Sequence, residues 1–257
     1  MDILLTNDDG IHCEGLWALH GVLQRAHAVT VVAPDRERTA VSHGITLHQP
    51  LRAGRVSLNG GGAGYAVNGT PADCIKLGIL EILGRKPDLV IAGLNPGANV
   101  GVNINYSGTV AAAKEAALGG VPAIAASIAG GEPYHYETAA EFVGRLSELV
   151  GRRGLVPGTF LNVNVPNLPR QAIAGVRISR HGLSIFRETM EKRIDPRNRP
   201  YYWQGADMQV FGDDLDIDGA ALRHSYIAVT PIKCDMTDYE VLENLKDWGL
   251  DRDGGSV

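Results

Sequence analysis

Five short apolar runs, Met1–Thr6, Val29–Pro34, Leu89–Gly93, Val121–Ser127 and Phe160–Val165, are separated by stretches of helical patterning. Each run has the length of a buried strand rather than of a helix. The helical stretches fall near residues 14–26, from Thr70-Pro71 onward, and near 109–118 and 136–151. Thr70 supplies a hydroxyl N-cap, and Pro71 suits the first helical position because its missing N–H would go unused there. Strands and helices in alternation predict an α/β fold, with a mainly parallel sheet covered on both faces. Residues 42–68, rich in Thr, His, Val and Gly, read as hairpins inserted at one edge.

The pattern changes after about residue 180. Arg180 to Trp203 mixes charge, proline and aromatics, and Asp213–Asp218 reads as an acidic loop. A final strand over 226–230 and a helix near 238–248 are predicted to close the chain, with a frayed tail from Leu250. These boundaries divide the chain into a core over 1–180 and an extension over 181–257.

Composition narrows the function. A chain of 257 residues with 44% hydrophobic and 21% charged content can bury a sizeable core. A net charge of −5 argues against a surface that coats a nucleic-acid duplex, but not against a small phosphorylated ligand. Cys13, Cys74 and Cys234 are widely spaced with no Cys-x-x-Cys, so neither a disulfide framework nor a structural zinc site is supported. No stretch approaches 18 continuous apolar residues and no signal-type segment opens the chain, so a cytoplasmic protein with no membrane partner is expected.

Four polar segments follow or border the strands, and each has two readings. Asn7-Asp8-Asp9-Gly10 is either a solvated turn or a pair of carboxylates gathered around a divalent cation. Pro34-Asp35-Arg36-Glu37-Arg38-Thr39-Ala40 follows the second strand. Gly93-Leu94-Asn95-Pro96-Gly97-Ala98-Asn99 is either a surface loop or the donor of a neutral amide ligand, Asn95. Ser107-Gly108-Thr109 enters an Ala-rich helix as a simple N-cap or as a phosphate cradle built on free N–H groups and the helix dipole. His43 faces either the site or solvent. Carboxylate, amide and hydroxyl oxygens suit a hard cation such as Mg²⁺, Mn²⁺ or Ca²⁺. Gly-x-Ser-x-Gly, the phosphate-loop motif Gly-x-x-x-x-Gly-Lys-[Ser/Thr] and His-Glu-x-x-His are all absent.

In this order, the segments resemble the SurE family of metal-dependent survival-protein nucleotidases. The resemblance rests on Ile3–Ile11, Val32–Arg38, Val67–Cys74, Gly93–Asn99, Tyr106–Ala113, Leu161–Pro166 and Val229–Pro231, and so covers nearly the whole chain. It implies a Rossmann-like three-layer core with a smaller C-terminal hairpin and helix used in oligomerisation, in a homodimer or homotetramer. The implied activity is hydrolysis of nucleoside monophosphates at the 5′ position, with the 3′ position a further candidate. The implied ligands of one divalent ion per subunit, Mg²⁺ or Mn²⁺ with Ca²⁺ a further candidate, are Asp8, Asp9, Thr39 and Asn95, with Asp8 and Asp9 as the catalytic pair. Asn99, Ser107, Gly108 and Thr109 would receive the phosphate and substrate. The family usually has Ser where this chain has Thr39, which keeps the hydroxyl and adds a methyl that stiffens χ1.

Two further readings stand beside this one. A nucleotide-binding regulator without turnover would be expected to have lost the ligand set, which is intact here. A haloacid-dehalogenase-like phosphotransferase would need Asp-x-Asp, and this chain has adjacent aspartates. Asp195–Trp203 and Asp218 are expected at a packed subunit interface rather than at substrate.

Overall fold

The computed structural model describes residues 1–57, 62–182, 185–187, 189–205 and 208–248. The predicted tail from Leu250 lies outside them. In chain order the first elements are β1 (Asp2–Thr6), α1 (Glu14–Leu23), β2 (Ala28–Pro34), β3 (Ala53–Ser57), β4 (Ala63–Val67), α2 (Pro71–Leu77) and β5 (Leu89–Pro96). There follow α3 (Gly108–Leu118), β6 (Ala123–Ile128), α4 (Tyr136–Arg153), β7 (Thr159–Val165), β8 (Gly175–Ile178), β9 (Ile185–Arg187) and β10 (Met190–Ile194). The last are β11 (Pro200–Gln204), β12 (Met208–Val210), α5 (Asp218–Arg223), β13 (Tyr226–Lys233) and α6 (Tyr239–Lys246).

Nine of these strands form one sheet in the order β3-β4-β2-β1-β5-β6-β7-β13-β8. Pairing is parallel from β4 through β7, and antiparallel where β3 meets β4 and where β13 meets β7. The expected α/β three-layer architecture is therefore present, with helices on both faces. Successive side chains of a strand point to opposite faces. In β1, Leu5 joins a core with Leu16 and Leu19 of α1 and Val143 of α4, while Leu4 joins the opposite core with Cys74 and Ile75 of α2 and Ala113 of α3. Alanines 112, 113 and 116 are fully buried, so α3 lies close against the sheet on its small side chains.

Several boundaries differ from those read in the sequence. Strand β5 continues through Asn95 to Pro96, past the predicted end at Gly93, because an irregularity between Ala92 and Asn95 lets it re-pair with β6. Gly93 is required there: its φ is +145° and a Cβ would stand 2.4 Å from the Ala126 carbonyl oxygen. In 42–68, the β3–β4 hairpin lies at the sheet edge as expected, but residues 42–52 run without a strand. The Asp213–Asp218 segment is not wholly a solvated acidic loop. Asp218 is fully buried and opens α5.

Strands β2 and β5 leave β1 on opposite sides, so β1 sits where the order of strands reverses. A crevice opens outside the carboxyl ends of the strands at such a point. Residues 7–10 are delivered to that place.

Candidate functional site

Beyond Thr6 the chain turns sharply, and the Asn7 side chain closes the turn from both sides. Its Nδ2 donates to the Gly10 carbonyl at 3.0 Å and its Oδ1 accepts the Gly10 N–H at 3.2 Å. Gly10 has φ +99°, and a Cβ would lie 3.0 Å from the Arg36 backbone. The Arg38 N–H donates to the Asp8 carbonyl at 2.7 Å, which ties the segment after β2 to the turn. This turn is what brings two adjacent carboxylates to one cavity, although adjacent residues of an extended strand face opposite ways.

The cavity is about 720 Å³, and Asp8, Asp9, Thr39, Asn95, Asn99 and Ser107 all line it. Six of the eight residues expected at the site therefore share one cavity. The other two, Gly108 and Thr109, are buried against Asp8. Thr109 donates its backbone N–H to Asp8 Oδ2 at 3.0 Å and its hydroxyl to Asp8 Oδ1. A Cβ on Gly108 would stand 2.8 Å from Asp8 Cβ, so only glycine lets the aspartate approach the helix end. The anion at the N-terminus of α3 is thus the Asp8 carboxylate itself. Ser107 caps the same helix by accepting the Val110 N–H at 3.1 Å.

Burial pushes the Asp8 carboxyl above the usual range, against the lowering effect of the Thr109 and Gly108 hydrogen bonds. Asp9 is pushed up to about 7, first by burial and then by the charges of Asp8 and Glu37. Its Oδ2 is buried and has no hydrogen-bond partner. A buried carboxylate oxygen without a donor is costly unless a cation meets it.

The neutral members are arranged as acceptors. Asn95 Nδ2 donates to the Gly97 carbonyl at 2.7 Å, which leaves the amide oxygen for another partner. Thr39 donates its hydroxyl proton to Glu37 Oε1 at 2.7 Å. Among the described residues no three His, Cys, Asp or Glu are gathered to hold a metal, so an ion here would rest on two carboxylates with amide and hydroxyl oxygens. That all-oxygen set, with its unpartnered Asp9 oxygen, fits a hard divalent cation.

Other contacts could not be read from the sequence. Asn99 donates its N–H to Asn164 Oδ1 at 2.8 Å and its Nδ2 to Ser127 Oγ at 2.8 Å, while its carbonyl accepts from Asn162 and Asn164. The buried Asp218 accepts the Gly101 N–H at 3.0 Å and braces the turn that carries Asn103 and Tyr106 to the cavity. Gln204 of β11 lines the cavity too, and Glu37 completes its acidic side. The alternation of Asn162 and Asn164 on one face of β7 was the available signal for the first of these. His43 does not line the cavity: it lies in a loop, partly exposed, where its Nε2 pairs with Glu115 at 2.8 Å, and Lys76 holds the other Glu115 oxygen at 2.7 Å.

Comparison with known proteins places the chain among relatives in sequence and in fold. The family model described as Survival protein SurE matches residues 3–188. A 5′-nucleotidase SurE from Desulfatibacillum aliphaticivorans is 58% identical over 252 residues, covering 98% of this chain and 100% of that one. Its counterpart from Syntrophobacter fumaroxidans is 48% identical over 250 residues, covering 97% and 100%. The crystal structure of the SurE protein from Aquifex aeolicus matches with a TM-score of 0.84 at 37% identity, over 96% of this chain and 99% of that one.

Proposed function

This chain belongs to the Survival protein SurE family, and on that premise we propose that it is a 5′-nucleotidase, a divalent-metal-dependent phosphomonoesterase acting on nucleoside monophosphates. The observation that carries this reading is the turn after β1, which places two adjacent carboxylates on one cavity and leaves a buried Asp9 oxygen without a partner.

Asp8, Asp9, Thr39 and Asn95 are the residues we assign to one Mg²⁺ or Mn²⁺ ion per subunit. A divalent ion bound there supplies charge neutralisation at the phosphate and a polarised water. Hydrolysis joins a water oxygen to phosphorus as the ester oxygen leaves and takes up a proton. Such a step depends mostly on positioning and charge stabilisation. Thr109 holds both carboxylate oxygens of Asp8, through its N–H and its hydroxyl, and so fixes the side chain at the edge of the cavity. Asn99 and Ser107 are assigned to the phosphate, with Gly108 and Thr109 serving it through Asp8. The remaining volume, bordered by Asn103, Tyr106 and Gln204, has room for a nucleoside.

Residues 1–180 form the proposed catalytic core and 181–257 the proposed oligomerisation extension, which returns one strand, β13, to the core sheet between β7 and β8. In support, Tyr202 and Trp203 of the β10–β11 hairpin are each 59% exposed, and α6 has no buried residue. Aromatic side chains presented in this way suit a homodimer or homotetramer interface. No helix among the described residues is long and apolar enough to cross a membrane, and we assign the protein to the cytoplasm.

Phosphate release from 5′- and 3′-nucleoside monophosphates, with EDTA and then with added Mg²⁺ or Mn²⁺, tests the proposal. Release from 5′-nucleotides that EDTA abolishes and the metal restores is expected. Binding without turnover under metal-replete conditions would make the protein a nucleotide-binding regulator instead.

A further inference from the structure

Glu37 lies outside the assigned ligand set, yet it lines the cavity with Asp8, Asp9 and Thr39. Its Oε1 accepts the Thr39 hydroxyl proton at 2.7 Å. A threonine hydroxyl has one proton to give and two lone pairs with which to accept. Once the proton is committed to Glu37, the lone pairs are the part of the hydroxyl left for another partner. A ligand that donates to a carboxylate is oriented by it and becomes more basic. The β-methyl of threonine restricts χ1, so few rotamers remain for the Glu37 contact to select among. Both residues are exposed, so the pair is not needed to fill the core.

We propose that Glu37 is a positioning residue that accepts the Thr39 proton and thereby turns the Thr39 oxygen toward the divalent cation held with Asp8, Asp9 and Asn95. The inference rests on the metal-dependent reading above. It assigns Glu37 to Thr39 and not to the ion, so its effect is transmitted only while the Thr39 hydroxyl is present.

The test is calorimetric titration of Mn²⁺ into the metal-stripped full-length protein, with no substrate present. The wild type is compared with Glu37→Gln, Glu37→Ala, Thr39→Ala and the Glu37→Ala/Thr39→Ala double variant. Loss of an outer partner of a metal ligand costs about 10-fold or more in affinity, and that loss is expected for Glu37→Ala. Glu37→Gln keeps an acceptor oxygen and is expected to fall between wild type and alanine. In the Thr39→Ala background, removal of Glu37 is expected to cost much less than it does alone, since residues that act through one another are not additive. Equal losses in both backgrounds, or no loss in either, would overturn the proposal. A wild type that binds no Mn²⁺ would overturn the metal-dependent reading itself, so the two failures are distinguishable.

Discussion

Thr109 gives both its backbone N–H and its hydroxyl to the carboxylate of Asp8, across a separation of 101 residues. The contact joins the carboxyl end of β1 to the first turn of α3, and it determines which way one of the two central carboxylates points. Thr109→Val would keep the shape and remove the hydroxyl donor. A hydrogen bond to a charged group contributes about 1.5–3 kcal/mol, and a stability loss of that order is expected. The Thr109 bonds lower the Asp8 pKa against its burial, so their loss would move the acidic limb of the activity profile to higher pH. Thr109→Ser is expected to restore both quantities, as read by thermal unfolding and by kcat/KM against pH.

Asp9→Asn is expected to abolish hydrolysis. The substitution keeps the size of the side chain and removes the charge that a cation would meet. Phosphate release at saturating Mn²⁺ provides the measurement, and full activity in this variant would reject the assignment of Asp9.

Gly108→Ala sets two effects against each other. Alanine is better than glycine inside a helix by up to about 1 kcal/mol. Here its Cβ would stand 2.8 Å from Asp8 Cβ and 2.9 Å from Asp8 Oδ2, so the aspartate must move. Activity is expected to fall by far more than any change in melting temperature suggests. An unchanged kcat/KM would show that the close approach is not needed.

Asp73 offers a pH test outside the catalytic wall. Burial pushes its carboxyl up, but hydrogen bonds from Thr46 and Thr70 outweigh burial and hold it below the usual value. It accepts from the Thr46 N–H at 3.0 Å, the Thr46 hydroxyl at 2.6 Å and the Thr70 N–H at 2.9 Å. A depressed folded pKa adds stability above the unfolded value near 3.9, and that stability is lost as pH falls through the folded pKa. Asp73→Asn is therefore expected to cost about 2 kcal/mol at neutral pH, or about 4–8 °C in melting temperature. The gap between variant and wild type should narrow as pH falls below about 3.9 and close once pH has passed the lower folded pKa, where the native carboxyl protonates. A gap that stays constant from pH 7 to 3 would mean that the charge on Asp73 contributes nothing.

Much of the architecture was legible because it is encoded locally. Strand β6 is buried at every residue and β1 at every residue but Asp2, and Thr70-Pro71 marks a helix start that the structure realises as a capping box with Asp73. Asn-Asp-Asp-Gly likewise announces a turn, because Asn7 and Gly10 satisfy each other within four residues. Other features were misplaced because their signal was ambiguous at short range. Asn95 lies inside β5 through a register shift, which depends on how β6 pairs with it. Asp218 stood in a run of acidic residues, yet it is buried because Gly101 and Gly182 supply N–H donors from distant segments.

The sequence by itself determined the order of strands and helices as far as β7, the polar turns at their ends, and through its motifs the family, since all of these are properties of neighbouring residues. Tertiary structure alone decided that α3 presents its N-terminus to Asp8 and that Asn162 and Asn164 hold Asn99. The physical reason is that a buried donor or acceptor must be satisfied, and the partner is whichever group the packing of the sheet and helices brings within 3 Å or so. Local sequence specifies the need for a partner, and the fold selects it.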